Sequence, residues 1–83
     1  MQNGSVVAVN QRRGMFIVAI DNGDHAVFEL LAGIDIAIGE RVQGNLEALG
    51  RETLRHLGQG RDFDVYGQSG PSSLSACNRL LGA

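Results

Sequence analysis

The residues that most often carry out chemistry in proteins are few in this chain of 83 residues, and they lie far apart in it. The two histidines are His25, which follows Asp24 at the tip of a predicted hairpin, and His56. An exposed turn residue is the simpler interpretation of His25. The single cysteine, Cys77, falls on the apolar face of a predicted helix, where burial disfavours the thiolate. We therefore predict no catalytic residue and no enzymatic activity.

Two acidic segments have a spacing that bears on cation binding. Residues 21–24, Asp-Asn-Gly-Asp, begin like a calcium-binding loop, but the alternating ligands stop at Gly23 and no Glu stands at the twelfth position. Asp62 and Asp64 lie about 7 Å apart on one face of a predicted strand, where they could hold a cation. Two spaced charges on the exposed face of a strand are the simpler interpretation. A glycine-rich phosphate loop is also missing from the sequence. We predict no metal site and no cofactor.

All seven basic residues are arginine, and the formal net charge is -2. Arginine has a planar guanidinium that suits phosphate and stacks on bases, which favours nucleic acid; a codon bias toward Arg and Gly would explain the same count. The slightly negative net charge excludes a polycation that coats DNA, but it is compatible with a local basic patch. Arg12 and Arg13 in the first loop and Arg41 at the start of a strand are the candidates for salt-dependent phosphate contacts. The alternative is that they are solvated loop charges.

Glycines divide the chain into short segments that are typical of β-strands joined by turns. The first three segments form an antiparallel meander, with Asn22-Gly23 in a tight hairpin between the second and the third. The sequence is compatible with either a helix or a hairpin at residues 50–57. Leu54 and Leu57 have the spacing of one helical turn, but the segment is too short to form a stable helix alone. The predicted strands are residues 5–9, 15–20, 26–30, 41–49 and 62–66.

Five short antiparallel strands predict an all-β fold, a small closed barrel, because closure removes the unpaired edges of an open sheet. An OB-type barrel is the first choice and an SH3-like barrel the competitor. Residues 1–70 would form the barrel and residues 71–83 a turn and a short C-terminal helix. Ser72 or Ser73 would cap that helix, which we expect to plug one end of the sheet. A frayed tail or a dimer contact is the alternative. Its apolar side would carry Leu74, Cys77, Leu80 and Leu81.

An ordered set of residues in the first half of the chain carries a family resemblance. The set is Gly4-x-Val6, Asn10, Arg13-Gly14, a β-rich stretch through Val18, Gly23, Val27-Phe28 and Gly39-x-x-Val42. In this order it resembles a cold-shock domain, the nucleic-acid-binding form of the OB-fold, over about half of the chain. The resemblance implies an OB-like barrel that binds single strands by stacking bases on aromatic rings above a basic groove.

Most of the stacking positions of that family carry aliphatic residues in this chain. Phe28 is the one ring in register, whereas Phe16 stands where the family has Gly and is expected in the core. Phe63 is also assigned to a buried strand face. The family's other aromatic or His positions correspond to Ala8, Met15, Ile17, Leu30 and Leu31.

These observations predict a small non-enzymatic binding module with weak affinity for single-stranded RNA or DNA. Arg12, Arg13 and Arg41 would contact phosphates and Phe28 would stack on a base. Met15 and Ile17 would form an apolar floor. The alternative is a protein-interaction or self-assembly module, such as a homodimer. In that case the aliphatic residues form a patch that is covered by a protein surface or by the molecule's own C-terminal helix.

The sequence also bears on location. No run of about 18 apolar residues is present, so we predict no membrane span. The start Met-Gln-Asn-Gly has neither a basic leader nor an apolar stretch. A lone cysteine cannot form an internal disulfide, so a reducing, cytoplasmic setting is expected.

Overall fold

The computed structural model describes residues 1–31 and 34–82 of the chain, so the last residue of the predicted 71–83 segment lies outside the described residues. Its six strands close an antiparallel barrel in the order β1-β2-β3-β6-β5-β4, and β4 pairs back onto β1. The prediction of a small closed antiparallel barrel followed by a short helix is confirmed, with six strands instead of five. The elements are β1 (Gln2–Asn10), β2 (Met15–Ile20), β3 (His25–Leu30), β4 (Arg41–Gly44), β5 (Gly50–His56), β6 (Arg61–Gly67) and α1 (Leu74–Leu81).

The sixth strand comes from the part of the chain between residues 41 and 56. The predicted strand 41–49 stops at Gly44, and a turn leads to Gly50, whose φ of 81° lies in the left-handed region that favours glycine. The open segment 50–57 is a strand, because β5 and β6 pair along their whole length as a hairpin. Leu54 therefore faces the core whereas Leu57 is exposed, since pairing imposes a period of two on the side chains.

The interior of the barrel is filled by aliphatic side chains around three phenylalanines. The ring of Phe16 stacks on that of Phe28, with centroids 5.8 Å apart, and contacts Phe63 at 6.5 Å. The segment between β3 and β4 adds Ile34 and Ile36 to this core. The other interior residues are Val6, Val18, Ile20, Ala26, Val42, Leu46, Leu54 and Val65.

A second, smaller core lies on the outer face of the barrel, because β2 is apolar on both faces. Its outward side chains, Met15 and Ile17, pack with Val27 of β3 and with Cys77 and Leu81 of α1. The helix thus lies across the outer face of β2 and β3, and the prediction that it plugs an end of the sheet is wrong. Helix packing on an apolar sheet face is the usual way to bury both faces of a strand.

Both ends of α1 are capped, which fixes its short length. The Ser73 hydroxyl accepts a hydrogen bond from the Ala76 N–H at 3.2 Å, so Ser73 is the predicted N-cap. Gly82 ends the helix with a φ of 76°. Within residues 1–31 and 34–82, no helix is long and apolar enough to cross a membrane.

The segment between β6 and α1 is held along β3, and this attachment aims the helix. The Gln68 N–H donates to the Val27 carbonyl at 2.9 Å, and the Val27 N–H donates to the Ser69 hydroxyl at 3.0 Å. His25 and Ser72 then exchange two backbone hydrogen bonds. The chain is therefore guided along β3 before it turns back over the sheet as α1.

Gly67→Ala should destabilise the barrel, because a side chain at this buried position would clash with the backbone carbonyl of Ala48. Backbone atoms cannot rotate away, so we expect a loss of about 1–3 kcal/mol or more in the free energy of unfolding. Urea denaturation followed by circular dichroism measures it. The matched control is Gly58→Ala, where the nearest atom is a side-chain carbon of His56 at 3.2 Å. Equal losses in the two variants would contradict the packing at Gly67.

Candidate functional site

The turn between β1 and β2 presents two exposed arginines at one end of the barrel. Asn10 organises this end: its Oδ1 accepts from the Arg13 N–H at 3.3 Å, and its Nδ2 donates to the Leu81 carbonyl at 2.8 Å. The guanidinium of Arg13 lies against Gly82 at the end of α1, where the helix carbonyls carry partial negative charge. Neither Arg12 nor Arg13 forms an ion pair with a carboxylate of the described residues.

Arg79 lies in the last turn of α1, two residues before Leu81, whose carbonyl accepts the hydrogen bond from Asn10. It is exposed, and it too lacks an ion pair within the described part of the chain. We call the region that carries Arg12, Arg13 and Arg79 the basic end.

Arg41, the third predicted phosphate contact, is engaged elsewhere. Its guanidinium forms a two-pronged ion pair with Asp21 at 2.9 and 2.7 Å, and it also donates to the Ser5 hydroxyl at 2.8 Å. The hydrogen bond from Arg41 lowers the pKa of Asp21, and the same bond raises the pKa of Arg41. Arg41 pairs opposite Ser5, which is five residues along β1 from Asn10, or roughly 17 Å. The structure therefore does not bring Arg41 together with Arg12 and Arg13.

The outer face of the β5–β6 hairpin is a ladder of paired charges. Arg51 contacts Asp64 at 3.2 Å, and Arg55 contacts Asp62 at 3.0 Å. The Thr53 hydroxyl also donates to Asp64 at 2.9 Å. The two aspartates that shared a predicted strand face are therefore engaged with cations and a hydroxyl of the neighbouring strand. Across residues 1–31 and 34–82, no three His, Cys, Asp or Glu side chains gather as a metal site would require.

Phe28 is not available to stack on a base. Its side chain is 0% exposed, so the prediction of a surface ring at this position is wrong. The reason is the register: Phe28 pairs directly opposite Phe16, and residues opposite each other in an antiparallel pair lie on the same face of the sheet. Once Phe16 points into the barrel, as predicted, Phe28 must do the same.

Met15 and Ile17 do not form an open floor for bases. They are 8% and 0% exposed, because Cys77 and Leu81 of α1 cover them. Ala8 packs against the same cluster. We expect this aliphatic patch to be covered either by another protein or by the molecule's own C-terminal helix, and the helix covers these three residues.

The other two residues of the predicted aliphatic patch lie outside the covered face. Leu30 packs against the interior core, and Leu31 is exposed. The patch is therefore not one continuous surface.

Cys77 is fully buried in the outer core. Burial raises the pKa of its thiol, and a hydrogen bond with Ser69 opposes that shift in part. A thiol with a raised pKa is a poor nucleophile, as the packing interpretation of this residue requires.

A cleft of about 410 Å³ opens next to the basic end, between the β1–β2 turn and the segment that joins β3 to β4. Asn10, Gln11 and Asp35 supply polar groups to its lining, and Asn10 also borders a recess that Arg12, Arg13 and Gly82 line. Sequence reasoning missed the cleft because residues 34–37 form one wall and have no regular structure; the alternating isoleucines there were its only signal. The apolar lining comprises Val9, Met15, Phe16, Leu30, Ile34, Ile36 and Ala37.

A buried histidine and a glutamate fasten that wall to the barrel. His56 is 2% exposed; its Nδ1 accepts the Gln59 N–H at 3.0 Å, and its Nε2 lies 3.1 Å from Glu40 Oε1. The same Glu40 oxygen accepts the Ala37 N–H at 2.7 Å. The pKa of Glu40 is lowered by the Ala37 hydrogen bond first and by His56 second. We call this contact between Glu40 and His56 the clasp. No local sequence pattern indicates it, because the two residues meet only through the β4–β5 pairing.

Comparisons of this chain with protein-family models, with curated proteins and with solved structures find no match. The interpretation of the site therefore depends on its own geometry.

Leu81→Ala should expose the outer core and loosen α1, because Leu81 is 4% exposed between the helix and β2. Removing a buried leucine side chain should lower the free energy of unfolding by about 2–5 kcal/mol. The adjacent Leu80, which is 43% exposed, gives a matched control: Leu80→Ala should cost less than about 1 kcal/mol. Urea titration of both variants measures the difference, and equal costs would contradict the covering role of α1.

Glu40→Gln should lower the free energy of unfolding at neutral pH and less so in acid. Because folding lowers the pKa of Glu40 from its ordinary value of 4.5, its ionised form stabilises the fold above that value, and this stabilisation is lost as the pH falls through the lower folded value. The variant and the parent should therefore converge in stability as the pH falls below the folded pKa of Glu40.

Urea titrations of the parent and of Glu40→Gln at pH 7 and in acid measure that convergence. The control is Glu47→Gln, an exposed carboxylate that accepts a hydrogen bond from Gln2 and lies outside the clasp. A difference between Glu40→Gln and the parent that does not change with pH would contradict the role of the Glu40 carboxylate.

Proposed function

We propose that this protein is a small non-catalytic module that binds single-stranded RNA or DNA weakly, through the basic end of the barrel. The observation that carries the proposal is the division of the arginines. Arg41, Arg51 and Arg55 are each paired with an aspartate, whereas Arg12, Arg13, Arg79 and Arg61 have no carboxylate partner among the described residues, and three of these four lie at the basic end. Unpaired arginines on a surface attract phosphate by charge and by their planar donors.

The shape of the basic end favours a single strand over a duplex. The recess beside Arg12 and Arg13 adjoins a mostly apolar cleft that can receive an unstacked base, and bases are splayed out only in single strands. The resemblance of residues 4–42 to cold-shock domains points to the same class of ligand. The small number of charges limits the affinity, and Phe28 is buried and cannot add the about 1–3 kcal/mol of a base stacked on an aromatic ring.

A protein-interaction or self-assembly role is the second proposal. Leu74 and Leu80 of α1 are each 43% exposed, which is the observation that favours it. Sedimentation at tens of micromolar protein tests this role, and a strictly monomeric species that captures no partner would count against it. For either role we propose a cytoplasmic location, since the only cysteine is a free thiol.

Fluorescently labelled oligo-U and oligo-T should show an anisotropy change at tens of micromolar protein in low salt. The double variant Arg12→Ala with Arg13→Ala should reduce the slope of log K against log salt by about 1.4, because each phosphate contact to a single strand contributes about 0.7. The control is Arg61→Ala, an exposed arginine at the start of β6, which should leave the slope unchanged.

Circular dichroism must first show that the double variant keeps its fold, because Arg13 also contacts the end of α1. No anisotropy change with either strand, or a slope that the double variant leaves unaltered, would refute binding at the basic end.

A further inference from the structure

We propose that the cleft next to the basic end takes one unstacked base of the bound strand, and that Asp35 makes it prefer bases with an amino group. The inference rests on the proposed function and deepens it, since it specifies which part of the ligand enters the cleft and which bases are favoured.

The size and lining of the cleft suit a flat ring. Its volume of about 410 Å³ lies within the range of about 300–1,000 Å³ that is common for small-molecule sites. Val9, Leu30 and Ile36 provide apolar walls, and polar groups are confined to a few positions. A base has two apolar faces and a polar edge, so such a lining can bury the faces and leave the edge to the polar groups.

The neighbouring recess supplies the charge that a nucleotide needs. Asn10 borders both spaces, so the apolar cleft and the recess of Arg12 and Arg13 adjoin each other across one side chain. A nucleotide likewise joins a flat ring to an anionic phosphate through a single sugar. A base in the cleft would therefore leave its phosphate beside the two arginines, which is the charge complementarity on which this inference depends.

Asp35 gives the cleft a preference among bases. A carboxylate accepts hydrogen bonds and does not donate them, so it pairs with amino groups. Cytosine, adenine and guanine have an exocyclic amino group, whereas uracil and thymine have only one ring N–H on their pairing edge. Cytosine and uracil have the same ring size, so a comparison of the two isolates the contribution of the amino group.

The wall that carries Asp35 is held in position without a ligand. Ile34 and Ile36, on either side of Asp35, are buried in the interior core. Glu40 accepts a hydrogen bond from the N–H of Ala37, the residue after Ile36, and also contacts His56. A preformed wall lowers the entropy that a ligand must lose on binding, which matters most for a weak binder.

The test compares labelled oligo-C and oligo-U of equal length, by anisotropy in low salt at pH 7.5. Oligo-C should bind about tenfold more tightly, the discrimination typical of one good contact to a base edge. Asp35→Asn should bring the ratio of the two affinities close to one. Removal of a negative charge strengthens the binding of both strands, so the ratio of affinities is the readout. The control is Asp24→Asn, an exposed carboxylate in the β2–β3 turn, which should preserve the ratio.

An oligomer of abasic sugars with the same number of phosphates separates this inference from the proposed function. If the abasic strand, oligo-U and oligo-C bind equally, or if Asp35→Asn leaves the preference for oligo-C intact, the base cleft is refuted while phosphate binding stands. If none of the strands binds, the proposed function fails and the base cleft fails with it. Weaker binding of the abasic strand, together with a preference for oligo-C that depends on Asp35, supports both.

Discussion

The apolar character of β2 on both of its faces is the constraint from which most of the structure follows. Phe16 and Val18 fill the barrel, but Met15 and Ile17 on the other side would be left in water if the barrel stood alone. Burial of such surface is worth about 25 cal/mol for each Å², so a second layer is strongly favoured. The short helix α1 supplies that layer. The face of β2 that the sequence predicts as a floor for bases thereby becomes a second core, so Met15 and Ile17 are closed to a ligand.

The sequence predicts the class of fold and most strands, because glycine spacing and β-branched runs are local signals, but it does not settle the register of the hairpin between β2 and β3. An Asn22-Gly23 pair at both central positions of a two-residue turn would put Phe28 opposite Ile17 and therefore outside the barrel. In the structure this turn has three residues, of which only Gly23 has a positive φ, and Phe28 lies opposite Phe16. A shift of one residue moves every side chain of a strand to the other face, so the length of this turn decides that Phe28 lies inside the barrel and not on its surface.

For the candidate site, the sequence predicts the exposure of residues that lie in a loop between two clear strands. It does not predict contacts between side chains that are far apart in the chain. Arg12 and Arg13 are exposed in the first turn, as loop residues between two clear strands should be. Arg41 is also basic and partly exposed, but its partner Asp21 is twenty residues away, and no local pattern links the two. The cleft and the clasp of Glu40 with His56 depend on where the segment between β3 and β4 crosses the barrel. That path is set by the burial of Ile34 and Ile36 in a core that forms only when all six strands are in place.

The order of strands in the barrel also has a consequence for how the chain folds. β1–β2–β3 and β4–β5–β6 are each a meander of sequence neighbours, and they meet along two short seams, four residue pairs between β1 and β4 and three between β3 and β6. Phe16 and Phe28 belong to the first meander and Phe63 to the second, so neither half holds a complete core. Closing the seams requires contacts between residues far apart in sequence, which is the slow part of folding a β-protein. The segment that follows β6 crosses to the first meander along β3, and the helix then packs on β2 and β3, so this part of the chain ties the two meanders together. The two halves therefore depend on each other for stability, and the molecule should unfold as one cooperative unit.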